Sequence, residues 1–243
     1  MNPVLEPKTS QAPGKKKLWI AFLVFVPLIF VPYVASNIIM HVFPALGGFK
    51  GINLAYIGLF QLVSVLGILH LALKYLGVSW RFIGVPEKPK ASHIILGLAV
   101  GLTWAIIQFM WLFPATGGAN RPDIAAILEA YDHSVAGVLG YAVLGVLGGG
   151  ISEELYNRGF FINVLNGALG NTALSYVISV VLSVLFFAGG HLPDSPLMWL
   201  DIMVPTLAYT ALFVTTKKVT ASICAHALYN LLAVIGVWLM YGG

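Results

Sequence analysis

Charge is what this chain has least of. Only 9% of its 243 residues are Asp, Glu, Lys or Arg, where a soluble domain carries about 25%. Hydrophobic residues make up 59% and the mean hydropathy is +0.90. No water-soluble core needs this much apolar sequence, so the composition points to a polytopic membrane protein. Cysteine is nearly absent. Cys224 stands alone, which excludes an intrachain disulfide and a thiolate zinc site. It reads as a small apolar helix residue. Short alternating strand patterns are missing too. The apolar runs are about 20 residues long rather than about 10, which argues against a β-barrel. The net charge of +4 comes with no basic–aromatic surface pattern, so the expected partner is the lipid bilayer and not a nucleic acid.

What is present reads as an all-α transmembrane bundle of about seven spans, with six and eight as the bounds. The runs cover 18–40, 52–76, 91–113, 134–165, 172–191, 197–216 and 219–240. Residues 1–17 are polar, hold three prolines and end in Lys15, Lys16 and Lys17, so they read as a disordered cytoplasmic tail. The rest divides into N-terminal spans over 18–133 and a second group over 134–243. The loop 77–90 carries Arg81, Lys88 and Lys90 against Glu87, and Lys217–Lys218 forms a second basic turn. The positive-inside rule puts both, and the N-terminus, in the cytoplasm. The segment 114–133, with Arg121, Asp123, Glu129 and Asp132, falls outside, and 122–132 has the pattern of a short surface helix. The protein is thus expected to be an integral, multi-pass membrane protein, in the cytoplasmic membrane if the source is bacterial. Seven spans leave the C-terminus outside.

The fourth run is too long. A straight helix of its length spans about 48 Å, against a hydrocarbon core of about 30 Å. Gly148, Gly149 and Gly150 predict a bend, a break or close helix packing within it. Directly after them comes Ile-Ser-Glu-Glu-Leu-Tyr-Asn-Arg, which puts Glu153, Glu154 and Arg158 at membrane depth. Ionisable groups there are costly and mark function by default. Glu154 and Arg158 share a helix face and can pair. Glu153 is rotated away by about 100°. One carboxylate then serves as a held anion and the other as a base. His191 ends a later span, four residues after Phe187. His226 and Asn230 share a face of the last span. A glutamate, two histidines and an asparagine suit water activation and oxyanion stabilisation. Glutamate with two histidines is also a catalytic zinc set, so Glu153, His191 and His226 are candidate metal ligands and zinc a candidate cofactor.

In this order, Glu-Glu-x-x-x-Arg (153, 154, 158), Phe-x-x-x-His (187, 191) and His-x-x-x-Asn (226, 230) resemble the CPBP family. That family comprises intramembrane proteases, including the prenyl-protein CAAX endopeptidase and bacterial Abi proteins linked to bacteriocin immunity. Arg158-Gly159 matches the usual continuation of the first motif, and the resemblance covers about 134–235. It implies hydrolysis of peptide bonds within the bilayer, acting on a peptide or a membrane-protein tail. Glu153 would activate water, His191 would help to hold it, and His226 with Asn230 would stabilise the oxyanion. Glu154 and Arg158 would support the site. The family has been described both as metalloproteases and as glutamate-dependent proteases, and no His-Glu-x-x-His occurs here. Asn157 departs from the family pattern, where an aromatic residue is common. Two other readings compete: a peptide-binding or immunity protein without catalysis, and a proton-coupled transporter. The absence of a visible internal repeat weighs against the transporter.

One point of the helix arithmetic stands against a common site. Counted from the cytoplasmic helix ends, Glu153, His226 and His191 lie about 18, 10 and 28 Å deep. They meet only if helix ends project unevenly, tilt or break.

Overall fold

The computed structural model describes residues 12–43 and 47–242. Its helices are α1 (Lys15–Val42), α2 (Asn53–Leu76), α3 (Ala91–Ala115), α4 (Pro122–Ala130), α5 (Val135–Leu169), α6 (Ala173–Gly190), α7 (Pro196–Thr216) and α8 (Val219–Tyr241). All but α4 are long and apolar enough to cross a bilayer, giving seven candidate spans among the described residues, where no strand occurs. The chain is an all-α, multi-pass membrane protein. Residues 1–11 of the expected tail lie outside the described residues. Lys15, Lys16 and Lys17 form the first turn of α1 instead of tail.

Local chemistry sets the boundaries. The Ser134 and Ser195 hydroxyls accept from the backbone N–H groups of Gly137 and Met198, capping α5 and α7. Thr172 and Ser175 make a reciprocal capping box at the start of α6. Gly77 and Gly170 end α2 and α5 in the left-handed region that glycine tolerates. The amphipathic stretch after α3 forms α4, with Pro122 at its first turn, where its missing N–H costs nothing.

α5 is the hub. It packs against α2, α8, α6 and α1. Over Leu144–Phe161 it winds with i→i+5 hydrogen bonds, a wide turn that is uncommon and recurs at functional sites. The wide turn rises less per residue than an α-helix, which helps a 35-residue helix fit a membrane. Its glycine stretch stays helical and does not break. It gives close packing: a Cβ at Gly150 would lie 2.6 Å from Ala227 Cα, and one at Gly58 would lie 2.7 Å from Leu144 Cα. Three side chains also bond carbonyls of this stretch. The Asn230 amide donates to Gly145, the Ser152 hydroxyl to Leu147 and the Tyr33 hydroxyl to Gly148, at 2.8, 2.7 and 3.2 Å.

The close α5–α8 approach yields a test. Gly150→Ala should destabilise the protein by about 1–3 kcal/mol, because the new methyl meets backbone that cannot move alone. Gly67→Ala, whose methyl meets nothing within 4 Å, should leave the unfolding midpoint unchanged or raise it. Thermal unfolding in one detergent compares the two.

The two ends of the bundle are tied separately. At one, Leu18 lies against Gly167, Lys15 against Gly170, and the Val219 N–H donates to Gly84 O at 3.2 Å. At the other, the Gly51 N–H donates to Ala130 O at 2.8 Å, Lys50 pairs with Asp132 at 2.9 Å, and the Tyr131 hydroxyl donates to Val234 O at 2.7 Å. Here too Arg121, almost fully buried, pairs with Asp123 and Asp201 while the Gln108 amide donates to Asp201 at 3.1 Å. Burial raises the pKa of Asp123, but the Arg121 hydrogen bond and charge outweigh it and hold the carboxyl below its ordinary value. This network pins α4 and α3 to α7.

The depth conflict is resolved by unequal helices. Phe187 of α6 and Tyr209 of α7 both touch His226. α6 begins 14 residues before Phe187 and α8 only 7 before His226, about 21 and 10 Å of helix. The α5–α6 turn therefore projects further than the α7–α8 turn, and α6 stops soon after the level of the site.

Candidate active site

Glu154 is the anchor. Its side chain is fully buried, and one oxygen, Oε1, accepts from Arg158 Nη1 at 2.8 Å and from His226 Nδ1 at 2.9 Å. The expected i,i+4 pair is present. Arg158 is also fully buried. It donates further to Thr206 O at 3.2 Å and to Thr210 Oγ1 at 3.4 Å, and its guanidinium lies 4.4 Å from the Phe187 ring centroid. A buried arginine needs such a set of partners, since removing a charge from water costs several kcal/mol (order of magnitude) unless it is paired and bonded.

This anchor fixes His226. A carboxylate only accepts, so Nδ1 carries the proton and Nε2 is the atom left for chemistry. Tyr209 stacks on the imidazole with centroids 4.8 Å apart, and Phe187 meets it edge-on at 6.3 Å. Nε2 then faces Glu153 Oε2 at 4.0 Å. Glu153 keeps 18% of its side chain exposed, unlike its neighbour. One acid is a held anion and the other stands open, as the rotation between adjacent helix residues requires.

Asn230 lies one turn from His226. One N–H of its amide is committed to Gly145 O, and the other N–H remains. The amide crosses Gly149: a Cβ there would lie 2.7 Å from Asn230 Nδ2 and 3.9 Å from His226 Nε2. Glycine at 149 is what lets His226, Asn230 and α5 share one space.

His191 stands apart. It caps α6 and is exposed, and its Nδ1 donates to Phe187 O at 2.9 Å, leaving Nε2 as an acceptor. Among the described residues it makes no hydrogen bond or ion pair to Glu153, Glu154 or His226. Phe187 is near both imidazoles, its ring 4.7 Å from that of His191 and 6.3 Å from that of His226. A metal held by Glu153, His191 and His226 does not fit this arrangement. No three His, Cys, Asp or Glu among the described residues are gathered for a cation.

Sequence reasoning missed Thr206, Tyr209 and Thr210. Their i, i+3, i+4 spacing makes a polar stripe on α7, and that stripe was the available signal. Asn157 is buried, and its Oδ1 accepts from the Ser183 hydroxyl at 3.1 Å, which joins α5 to α6 and does not reach the acids.

Comparison with known families agrees with the motifs. Residues 135–232 match the family described as type II CAAX prenyl endopeptidase Rce1-like. The match runs from the first turn of α5 into α8 and leaves α1, α2 and α3 outside it. No curated protein and no solved structure matches the chain. Over 135–232 this chain is therefore similar to the Rce1-like CAAX prenyl endopeptidases, which supports the resemblance that the motifs carry.

Proposed function

We propose that the chain is an intramembrane endopeptidase in which Glu153 activates water. The observation that carries this reading is the Glu153–His226 gap. The two groups are 4.0 Å apart, too far for a direct hydrogen bond and near enough for one water to bond both. The substrate is a peptide or a membrane-associated protein tail. Water gives a proton to Glu153 and its oxygen attacks the scissile carbonyl carbon. The carbonyl becomes an oxyanion, which accepts from the free Asn230 N–H, while His226 Nε2, oriented by the Nδ1–H bond to Glu154, accepts from the attacking water and holds it in place. Glu153 passes its proton to the leaving amine as the C–N bond breaks. Glu154 and Arg158 position His226 and do not touch substrate. His191 presents Nε2 beside Phe187, where it can hold substrate or the incoming water.

A quenched-peptide library in detergent tests this. Wild type should cleave, and Asn230→Ala should lose about 10²–10³-fold in rate, the usual cost of one oxyanion donor. Cleavage should be indifferent to chelator. Loss with chelator and recovery with zinc would overturn the metal-free route. Tight peptide binding without cleavage would favour a sequestering protein.

A further inference from the structure

His226 is not the only polar group near Glu153. The charge of Glu153 also reaches the hydroxyls of two tyrosines, Tyr33 on α1 and Tyr156 one turn further along α5. The two rings lie 6.3 Å apart, and Phe30 meets Tyr156 edge-on at 5.5 Å. Tyr33 is of interest because α1 lies outside the matched stretch 135–232.

The Tyr33 hydroxyl bonds where it can set the backbone of the acid. It donates to Gly148 O at 3.2 Å. In the i→i+5 winding of Leu144–Phe161 the same carbonyl is the acceptor for the Glu153 N–H. One carbonyl thus joins α1 to the backbone of the proposed base. Ser152, beside the Tyr33 hydroxyl, holds the neighbouring Leu147 O at 2.7 Å. Tyr33 is held in turn. Its own carbonyl accepts from the Ser36 hydroxyl at 3.0 Å, and Ser36 Oγ accepts from the Gln61 amide at 3.0 Å. Ser36 and Gln61 are both buried, and Gln61 abuts Gly148, where a Cβ would run into its Oε1. Polar side chains within membrane spans act as glue between helices. Here they tie α1 and α2 to the turn that carries Glu153. A wide turn of this kind is rare, and outside donors keep it in one shape.

We infer that Tyr33 is a positioning residue: its hydroxyl fixes the Gly148 carbonyl and, through it, the turn that aims Glu153 at the gap to His226. The inference rests on the endopeptidase reading, and it extends the working unit to α1, beyond 135–232.

Tyr33→Phe tests it in the full-length protein, since the ring keeps its place against Phe30 and Tyr156 and only the hydroxyl goes. With a quenched peptide that wild type cleaves, kcat should fall about 10- to 100-fold, the scale of a misplaced reacting group. KM should stay within about two-fold, because substrate binding is untouched. Hydrogen–deuterium exchange should quicken over 147–156 by about 2- to 10-fold, the net worth of one neutral hydrogen bond, and stay at the wild-type rate over 219–241. Wild-type kcat in Tyr33→Phe would overturn the inference. So would a loss carried by KM, which would put Tyr33 on the substrate, or unchanged exchange over 147–156. If exchange quickens there while wild-type protein cleaves no peptide, the hold of α1 on α5 stands and the endopeptidase reading falls.

Discussion

Glu153→Gln should reduce peptide cleavage by about 10²–10⁴-fold, the range that a positioned general base contributes, and leave folding stability within about 0.5 kcal/mol of wild type. The substitution keeps the side-chain volume and removes only the ability to take a proton. Glu153 is not a partner in the buried ion pair, and its Oε2 stands 4.0 Å from His226 Nε2. Little native bonding is lost with its charge. Glu154→Gln should behave in the opposite sense. Glu154 Oε1 carries both Arg158 and His226, so neutralising it leaves the guanidinium buried without its anion. The unfolding midpoint should drop sharply, and activity should fall with it because His226 loses its alignment. Measuring cleavage and thermal unfolding in one detergent separates the two acids. Full activity in Glu153→Gln would move the base elsewhere, and a stable Glu154→Gln would deny it the anchoring role.

Much of this architecture is legible in the sequence, for reasons that differ by residue. The spans are visible because a soluble fold rarely needs apolar runs of membrane length, whereas a bilayer requires them. The Glu154–Arg158 pair is visible because i,i+4 neighbours meet on any helix, and the wide turn of α5 does not separate them. The bond from His226 to Glu154 spans 72 residues and depends on how closely α5 and α8 approach. That approach is set by Gly149 and Gly150, whose sequence is equally compatible with a bend. Phe187 reads as packing, and it is, but what it packs between is informative: it touches His191, His226 and Arg158. No spacing rule shows that it reaches both histidines. Tyr209, Thr206 and Thr210 draw little notice in a sequence because hydroxyl-bearing residues are ordinary in apolar helices. Here a backbone carbonyl and a hydroxyl complete the arginine's bonding. Asp201 lies near a turn in the sequence. The fold gives it Arg121 and Gln108 as partners and a place in the network that fastens α4 to α7.

The largest effect on stability should come from breaking the central pair on one side only. Arg158→Met should cost about 3–5 kcal/mol, since it strands a buried carboxylate without its cation. The methionine fills most of the arginine's volume, so the loss is electrostatic more than a packing defect. Thr206 O and Thr210 Oγ1 also lose their donor, which adds a smaller penalty. The double variant Glu154→Gln with Arg158→Met should then be more stable than Arg158→Met alone. It removes both charges, and a buried pair replaced by neutral groups of similar size is often close to neutral in stability. The cycle should show strong coupling, because the two groups share one hydrogen bond. Cleavage should not return with stability. A neutral amide holds the His226 Nδ1–H more weakly than a carboxylate does, so the imidazole that faces the substrate loses its alignment. Denaturant unfolding and peptide cleavage on the four proteins of the cycle decide the point. Additive losses in stability would mean that the pair is not a unit. Restored cleavage in the double variant would mean that His226 does not depend on Glu154 for its orientation.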